Sequence, residues 1–247
     1  MKTILAAIVA MTGVMTAGAV EPPRTPVLLE LFTSEGCSSC PPADQLLEKL
    51  DRTQPVHGAE LIVLSEHVDY WDRMGWKDPF SSAEMTSRQT QYSTVFHIDE
   101  IFTPQLVIDG KQQVVGTDSS AARKAIAEDI KSGKAPLTLS APTREGDRIT
   151  VRVDMPAGAS QGVLYVALAE NSMRIQVLRG ENAGHSLSHV AVVRKLIKAG
   201  TVKKDEAFTT SVQIPVDKGV GAQGLRIVAF VQDNRNSQVL AVAQQKL

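Results

Sequence analysis

The chain has 247 residues, 43% of them hydrophobic, and a formal net charge of −1 at pH 7. A charge this close to zero argues against a nucleic acid or an anionic surface as the partner. The length allows one large domain or two small ones. The two cysteines are too few for a small fold held together by disulfide bonds.

The first residues have the pattern of a secretory signal peptide. Lys2 supplies a positive charge, the run from Thr3 to Met15 is apolar, and Ala17-Gly18-Ala19 is a cleavage site, so we predict removal of residues 1–19. This stretch is too short for a transmembrane helix and no other stretch reaches that length, so no stable membrane insertion is expected. We therefore predict a periplasmic or secreted protein in an oxidising compartment.

The most informative pattern lies in residues 27–50. The apolar run Val27–Phe32 predicts a strand, and the leucines of residues 44–50 predict an amphipathic helix. Cys37 and Cys40 lie between them, at the start of the helix, where the helix N-terminus stabilises a thiolate. A C-x-x-C at a strand–helix junction is typical of a redox site, so we expect Cys37 to attack and Cys40 to resolve the mixed disulfide.

Two alternatives for the cysteine pair stay open at this point. The pair could be a permanent structural disulfide of an exported protein. It could also bind a metal, although zinc needs two further ligands and the sequence offers no second C-x-x-C or H-x-x-x-H. His67, at the end of the second predicted strand, would complete a Cys-Cys-His copper site with the two sulfurs, or it is an ordinary hydrogen-bonded histidine. For the exchange reaction itself we predict no cofactor and no metal.

Glu30 lies inside the first predicted strand, seven residues before Cys37. A carboxylate there could point beneath the dithiol and relay its protons as a general base. The alternative is a carboxylate that faces water at a sheet edge, and the apolar pattern alone does not decide between the two.

A loop rich in aromatic residues, Asp69–Phe80, follows the second predicted strand, Ala59–Val68, and we call it the aromatic loop. It contains both tryptophans, Trp71 and Trp76, and also Tyr70. Because open α/β sheets bind ligands at the carboxyl ends of their strands, we expect this loop to form a wall of the substrate groove beside Cys37. The alternative is a small separate core under a long loop.

A hairpin is predicted at Asp109-Gly110, with Thr103-Pro104 just before its first strand. The order of strand, C-x-x-C, helix, strand, helix, Thr103-Pro104, hairpin and helix resembles the thioredoxin fold. The resemblance implies a cis-proline at Pro104 facing the dithiol, and a Thr103 whose main chain pairs with a bound peptide. Two features depart from the usual family pattern. One is the Ser-Ser dipeptide that separates the two cysteines, and the other is the aromatic loop.

More narrowly, the chain is similar to a family of exported bacterial thioredoxin-like proteins carried as a domain of unknown function. The similarity lies in Glu30–Asp44, His67–Phe80, Phe102–Gly110 and Val177–Leu187. Together these stretches sample most of the chain after the signal peptide. They specify a family without specifying a substrate.

The composition changes after Pro136. Six segments with strand patterns, separated by turn residues, predict an antiparallel β-sandwich of immunoglobulin-like architecture. Within it, the polar segment Arg179–His185 either reaches over to complete the groove beside Cys37 or is a solvated loop. His189–Ile197 fits a helix or a strand, and we favour a strand.

These patterns together predict an α/β thioredoxin-like domain at residues 20–135 and an all-β sandwich domain at residues 136–247. The predicted function is thiol–disulfide oxidoreductase, with the thiols or disulfides of another exported protein as the partner. The alternative function is a periplasmic binding module in which Cys37–Cys40 is a structural disulfide.

Overall fold

The computed structural model describes residues 23–158, 161–217, 220–221 and 224–247, so the predicted signal peptide lies outside the described residues. The helices are α1 (Pro41–Thr53), α2 (Ala83–Phe96) and α3 (Ser119–Asp129), with short 3-10 turns at Asp72–Met74 and Ile130–Ser132. The strands of the first half are β1 (Thr25–Thr33), β2 (Ala59–His67), β3 (Gln105–Ile108) and β4 (Gln112–Val115). The remaining strands are β5 (Thr138–Leu139), β6 (Thr143–Glu145), β7 (Arg148–Met155), β8 (Gly162–Glu170), β9 (Met173–Gln176), β10 (Ser186–His189), β11 (Val192–Val202), β12 (Phe208–Pro215), β13 (Leu225–Gln232) and β14 (Val239–Lys246).

One mixed sheet of eight strands runs through the described chain in the order β14-β13-β8-β11-β2-β1-β3-β4. β1 pairs in parallel with β2 and antiparallel with β3, so it is an interior strand. β11 meets β2 at the Val192–Ser65 pair, and the Ser65 N–H donates to the Ala191 carbonyl. Strands from both halves of the sequence therefore belong to the same sheet.

The predicted fold class, a thioredoxin-like α/β domain followed by a separate all-β sandwich, is wrong. The described chain is mostly β, with 42% strand and 20% helix, and eight of its strands form one large mixed sheet. The physical reason lies in β8 and β13, which are almost entirely buried on both faces. Strands of a two-layer sandwich bury one face, whereas strands covered on both sides become continuously apolar. The division into two domains at residues 20–135 and 136–247 stays a prediction.

The two faces of β8 and β13 contribute to two different cores. Ala167 and Phe230 pack with β1, β2, α1 and α3 in the first core. Leu168 and Ile227 pack with the small sheet of β12, β7, β5 and β6 in the second core. The main sheet is therefore the common wall between a helical layer and a second β layer.

The ends of β1 and β2 determine where the cysteines lie. The two strands are in register to their last residues, since Thr33 pairs with His67. The loops that follow them therefore leave the sheet at the same end, next to the carboxyl ends of both strands. α1 then begins at Pro41, directly after Cys40, with prolines at its first two positions. Proline is tolerated there because the first N–H groups of a helix have no partner within the helix.

Candidate functional site: a covered disulfide at a strand–helix junction

Cys37 and Cys40 form a disulfide bond at the N-terminus of α1, with their Cα atoms 5.4 Å apart. The turn between them is closed by the Cys40 N–H, which donates to the Cys37 carbonyl at 3.1 Å. Both cysteine residues are fully buried. The bond is therefore in place where the sequence predicts it, but it does not lie open to solvent.

The loop that precedes Cys37 is fixed by polar contacts. The Glu35 N–H donates to Asp78 Oδ2 at 2.9 Å, and the Gly36 N–H donates to Ser34 Oγ at 3.1 Å. A methyl group on Gly36 would lie 3.1 Å from Trp71 Cβ, so only glycine lets the aromatic loop approach this closely. The aromatic loop thus packs directly against the chain beside Cys37.

Both tryptophans of the aromatic loop donate hydrogen bonds near the disulfide. Trp71 Nε1–H donates to Thr103 Oγ1 at 2.8 Å, and Trp76 Nε1–H donates to Glu35 Oε2 at 2.7 Å. Tyr70 packs its ring against Trp71, and burial raises the pKa of its hydroxyl. The loop therefore links the residues on either side of the disulfide.

The Thr103–Pro104 peptide bond is cis. Pro104 lies close to the first turn of α1, because a methyl group on Gly116 would be 3.0 Å from both Pro104 Cβ and Ala43 Cβ. A cavity of about 680 Å³ opens beside this region and is lined in part by Tyr70, Trp71, Met74 and Ile101. Of the predicted substrate-binding residues, Tyr70 and Trp71 line this cavity, Thr103 is hydrogen-bonded to Trp71, and Trp76 is hydrogen-bonded to Glu35.

Glu30 is fully buried in β1 and does not face water. Oε1 accepts from Arg88 and Oε2 accepts from the Tyr92 hydroxyl. The Arg88 guanidinium in turn stacks over the rings of Tyr92, Tyr165 and Phe230. Both oxygens of Glu30 therefore have partners on other elements, and its proposed proton relay to the cysteines stays a prediction.

A second buried carboxyl lies beside this ion pair. Burial, and next to it the charge of Glu30, raise the pKa of Glu66 well above its usual value. Arg88 Nε lies 3.6 Å from Glu66 Oε1, at the edge of an ion-pair contact. One guanidinium thus faces two buried carboxyl groups, with Glu30 in direct contact and the uncharged form favoured at Glu66.

Sequence analysis did not predict a group of buried ionisable residues on the other side of the disulfide loop. His189 Nε2 lies 3.6 Å from Glu35 Oε1 and His189 Nδ1 lies 3.6 Å from Asp44 Oδ2. Burial alone would lower the pKa of His189, but Asp44 and Glu35 together raise it to about 10. A protonated His189 therefore bridges the loop before Cys37 and the first turn of α1.

His67 belongs to the same group. Its ring packs edge-on against His189, with ring centroids 4.7 Å apart, and its Nδ1 lies 2.7 Å from Asp78 Oδ2. Burial tends to raise the pKa of Asp78, but His67 and two main-chain N–H donors bring it below its usual value. Among the described residues, no group of three His, Cys, Asp or Glu side chains is arranged to hold a metal ion.

The segment joining β9 to β10 covers the disulfide loop, and we call residues 177–185 the cap. Asn182 Nδ2 donates to the Glu35 carbonyl at 2.8 Å and to the Cys37 carbonyl at 3.0 Å. Glu181 Oε2 accepts from the Ser38 N–H at 3.1 Å. The polar, glycine-punctuated composition of this insert was the available signal, but which residue makes the contact was not predictable from it.

The described residues include no helix long and apolar enough to cross a membrane. The fold and site together define a mixed α and β protein with one intramolecular disulfide at a strand–helix junction. The chain belongs to a family described as proteins of unknown function, DUF1223, whose family model matches residues 28–232. The predicted membership in a domain-of-unknown-function family is therefore confirmed, whereas a place in the thioredoxin-like superfamily is not directly confirmed.

Comparison with solved structures gives a likeness that extends over most of the chain. Protein AGR_C_4864 from Agrobacterium tumefaciens, a structural-genomics target, matches with a TM-score of 0.69 at 24% identity, covering 89% of this chain and 93% of that one. A domain of the outer membrane lipoprotein Omp28 from Porphyromonas gingivalis matches with a TM-score of 0.31 at 20% identity, covering 46% of this chain and 88% of that one. The first likeness shows a shared fold. A search of curated proteins gave no match.

Proposed function

We propose that this protein exchanges disulfides with another exported polypeptide through Cys37 and Cys40. The observation that carries the proposal is the position of the Cys37–Cys40 bond at the N-terminus of α1. The N–H groups and positive end of a helix stabilise a thiolate there. Trp71, which packs on Gly36 next to Cys37, and the cis Thr103–Pro104 bond, which adjoins Trp71, supply surfaces against which a polypeptide can be positioned.

The reaction needs no cofactor, because a partner dithiol supplies both electrons. A partner thiolate attacks Cys37 Sγ, which forms a partner–Cys37 disulfide and releases Cys40 as a thiolate that takes up a proton. The second thiolate of the partner then attacks the partner sulfur of the mixed disulfide. This step forms the disulfide of the partner and releases Cys37 as a thiolate. The net change is oxidation of the partner dithiol and reduction of Cys37–Cys40, and the reverse sequence oxidises Cys37 and Cys40 again.

Export of the chain is part of the same proposal. An intramolecular disulfide persists in the periplasm or outside the cell and is rare in a reducing cytosol. The signal-peptide pattern at residues 1–19 supports the same location.

A second candidate function is supported by the complete burial of both cysteines. In that case Cys37–Cys40 is a permanent brace and the protein binds a partner through its aromatic loop. The ring closed by the bond contains only four residues, so loop-closure entropy would contribute about 2 kcal/mol, toward the low end for disulfides. A brace at this position would therefore stabilise the fold only modestly.

The test uses the protein without residues 1–19, assayed for reduction of insulin by dithiothreitol and equilibrated with glutathione buffers. Exchange predicts turnover that is abolished in Cys37→Ser, while Cys40→Ser accumulates a mixed disulfide with the partner. Turnover that survives Cys37→Ser would contradict the proposal. A potential well below about −300 mV with no turnover would favour the structural disulfide.

A further inference from the structure

The cap is a compact turn with its own hydrogen bonds. The Val177 N–H donates to the His185 carbonyl at 3.0 Å, and the Gly184 N–H donates to the Val177 carbonyl at 2.9 Å. Gly180 and Gly184 have φ values of +77° and +82°, which other residues adopt only with strain. Both hydrogen bonds join residues of the cap to one another.

The hydrogen bonds between the cap and the loop at residues 35–38 use side chains of the cap and main-chain groups of that loop. The Asn182 amide satisfies the carbonyls of Glu35 and Cys37, and the Glu181 carboxylate satisfies the N–H of Ser38. Asn182 is 6% exposed although its neighbours Glu181 and Ala183 are exposed. One side chain is thus inserted beside the disulfide from a segment whose outer surface is in water.

These contacts specify what can take the place of the cap. Buried main-chain carbonyl and N–H groups must keep hydrogen-bonding partners, because leaving one unsatisfied costs about 1–3 kcal/mol. A replacement must therefore donate N–H groups to the buried carbonyls of Glu35 and Cys37, and it can also offer an oxygen to the N–H of the exposed Ser38. The backbone of an extended polypeptide carries both kinds of group in alternation.

We propose that the cap fills the docking site for the polypeptide substrate when no substrate is bound, and that Asn182 must be displaced before Cys37–Cys40 reacts. This inference rests on the proposed function, since it names the substrate class and the control of the same site. It explains how a fully buried disulfide can take part in exchange. The protein reacts slowly with small thiols while the cap is in place, and a polypeptide gains access by supplying the hydrogen bonds that the cap provides.

The experiment measures how fast dithiothreitol reduces the Cys37–Cys40 bond, with two electrons passing to the bond as dithiothreitol becomes a cyclic disulfide. Asn182→Ala should react about tenfold faster than the wild-type protein, since the two lost hydrogen bonds correspond to about 1.4 kcal/mol or more. Glu181→Gln keeps the length of the side chain and removes its charge. It should react about threefold faster, because a neutral oxygen accepts a weaker hydrogen bond from the Ser38 N–H than a carboxylate does. Arg179→Ala, at an exposed position on the same cap, is the matched control and should react at the wild-type rate.

Several results would overturn the cap proposal. An unchanged rate in Asn182→Ala would do so, and so would an equal acceleration in Arg179→Ala, which would indicate general loosening. If Asn182→Ala fails to fold by near-UV circular dichroism, Glu181→Gln alone decides the question, because its side chain is exposed.

The substrate class is tested by replacing dithiothreitol with glutathione and with a reduced two-cysteine decapeptide. Asn182→Ala should accelerate the reaction of glutathione more than that of the decapeptide, because the decapeptide supplies its own hydrogen bonds. Equal acceleration would contradict docking at the cap site. Failure of the proposed function is distinguishable: Asn182→Ala would then be reduced faster, yet neither protein would turn over insulin.

Discussion

His189 should make the stability of this protein fall at mildly alkaline pH. In the folded protein Asp44 and Glu35 raise the pKa of His189 to about 10, whereas an unfolded histidine has a pKa near 6.5. The stabilisation is therefore complete below pH 6.5, where both states are protonated. It declines as the pH rises, and it is lost above about pH 10.

The magnitude follows from proton linkage. Each pH unit between the two pKa values changes the free energy of unfolding by about 1.4 kcal/mol for one proton. From pH 6.5 to pH 9.0 the contribution of His189 should thus fall by roughly 3 kcal/mol. His189→Gln cannot be protonated, so its stability should lack this part of the decline while other ionisable groups titrate as before.

The measurement is urea unfolding of both proteins at pH 6.5, 7.5 and 9.0, with His185→Gln as the control for loss of a histidine from the exposed cap. The difference in the free energy of unfolding between wild type and His189→Gln should shrink steadily as the pH rises. Parallel stability curves would refute the argument, since they would mean that His189 is not charged between Glu35 and Asp44.

Two further predictions concern residues away from the disulfide. Gly110→Ala should destabilise the protein by more than 2 kcal/mol in urea unfolding, because Gly110 has a φ of +62° and a methyl group there would collide with the Ser237 carbonyl. Gly146→Ala, with a φ of +60° and open space around it, is the control and should cost only about 1 kcal/mol; equal losses would contradict the steric argument. Glu66→Gln should change stability at pH 7 by less than about 1 kcal/mol, because burial raises the pKa of Glu66 and favours its uncharged form, which the neutral glutamine resembles. Glu30→Gln should cost more, up to about 3–5 kcal/mol, because it removes the carboxylate in direct contact with the buried Arg88; similar losses for the two variants would contradict the different roles of the two carboxyl groups.

Sequence reasoning succeeded where the structure is determined by neighbouring residues. The turn at Asp109-Gly110 was predicted from residue types that tolerate positive φ, and both residues have φ values of +49° and +62°. The helix after Cys40 begins at Pro41 because two prolines fit only in a first turn. In both cases the chemistry lies within a few residues of the feature itself.

The fold class was wrong because strand pairing between distant segments is not visible in local periodicity. Alternating apolar residues such as Ile227 and Ala229 are typical of a strand that buries one face in a sandwich. Their neighbours Val228 and Phe230 are also buried, against the first core. The continuous apolar run of β13 was the available signal for an interior strand of a larger sheet.

The covering of the disulfide by Arg179–His185 is one of the two alternatives that the sequence leaves open, for a related reason. Asn182 lies 145 residues from Cys37 in the sequence, and His189 lies farther still. A single asparagine in a polar, glycine-containing loop has no local pattern that distinguishes a buried contact from a solvated one. Only the pairing of β11 with β2 brings this segment to the carboxyl end of β1.

The sheet that joins both halves has a practical consequence for anyone who wants to express this protein in pieces. Phe230, Val239 and Val242 contribute to the same core as β1 and β2. A fragment ending at residue 135 would expose that apolar surface and convert β2 from an interior strand into an open edge. Open, apolar edge strands are templates for intermolecular pairing, so such a fragment should aggregate where the longer chain stays dispersed.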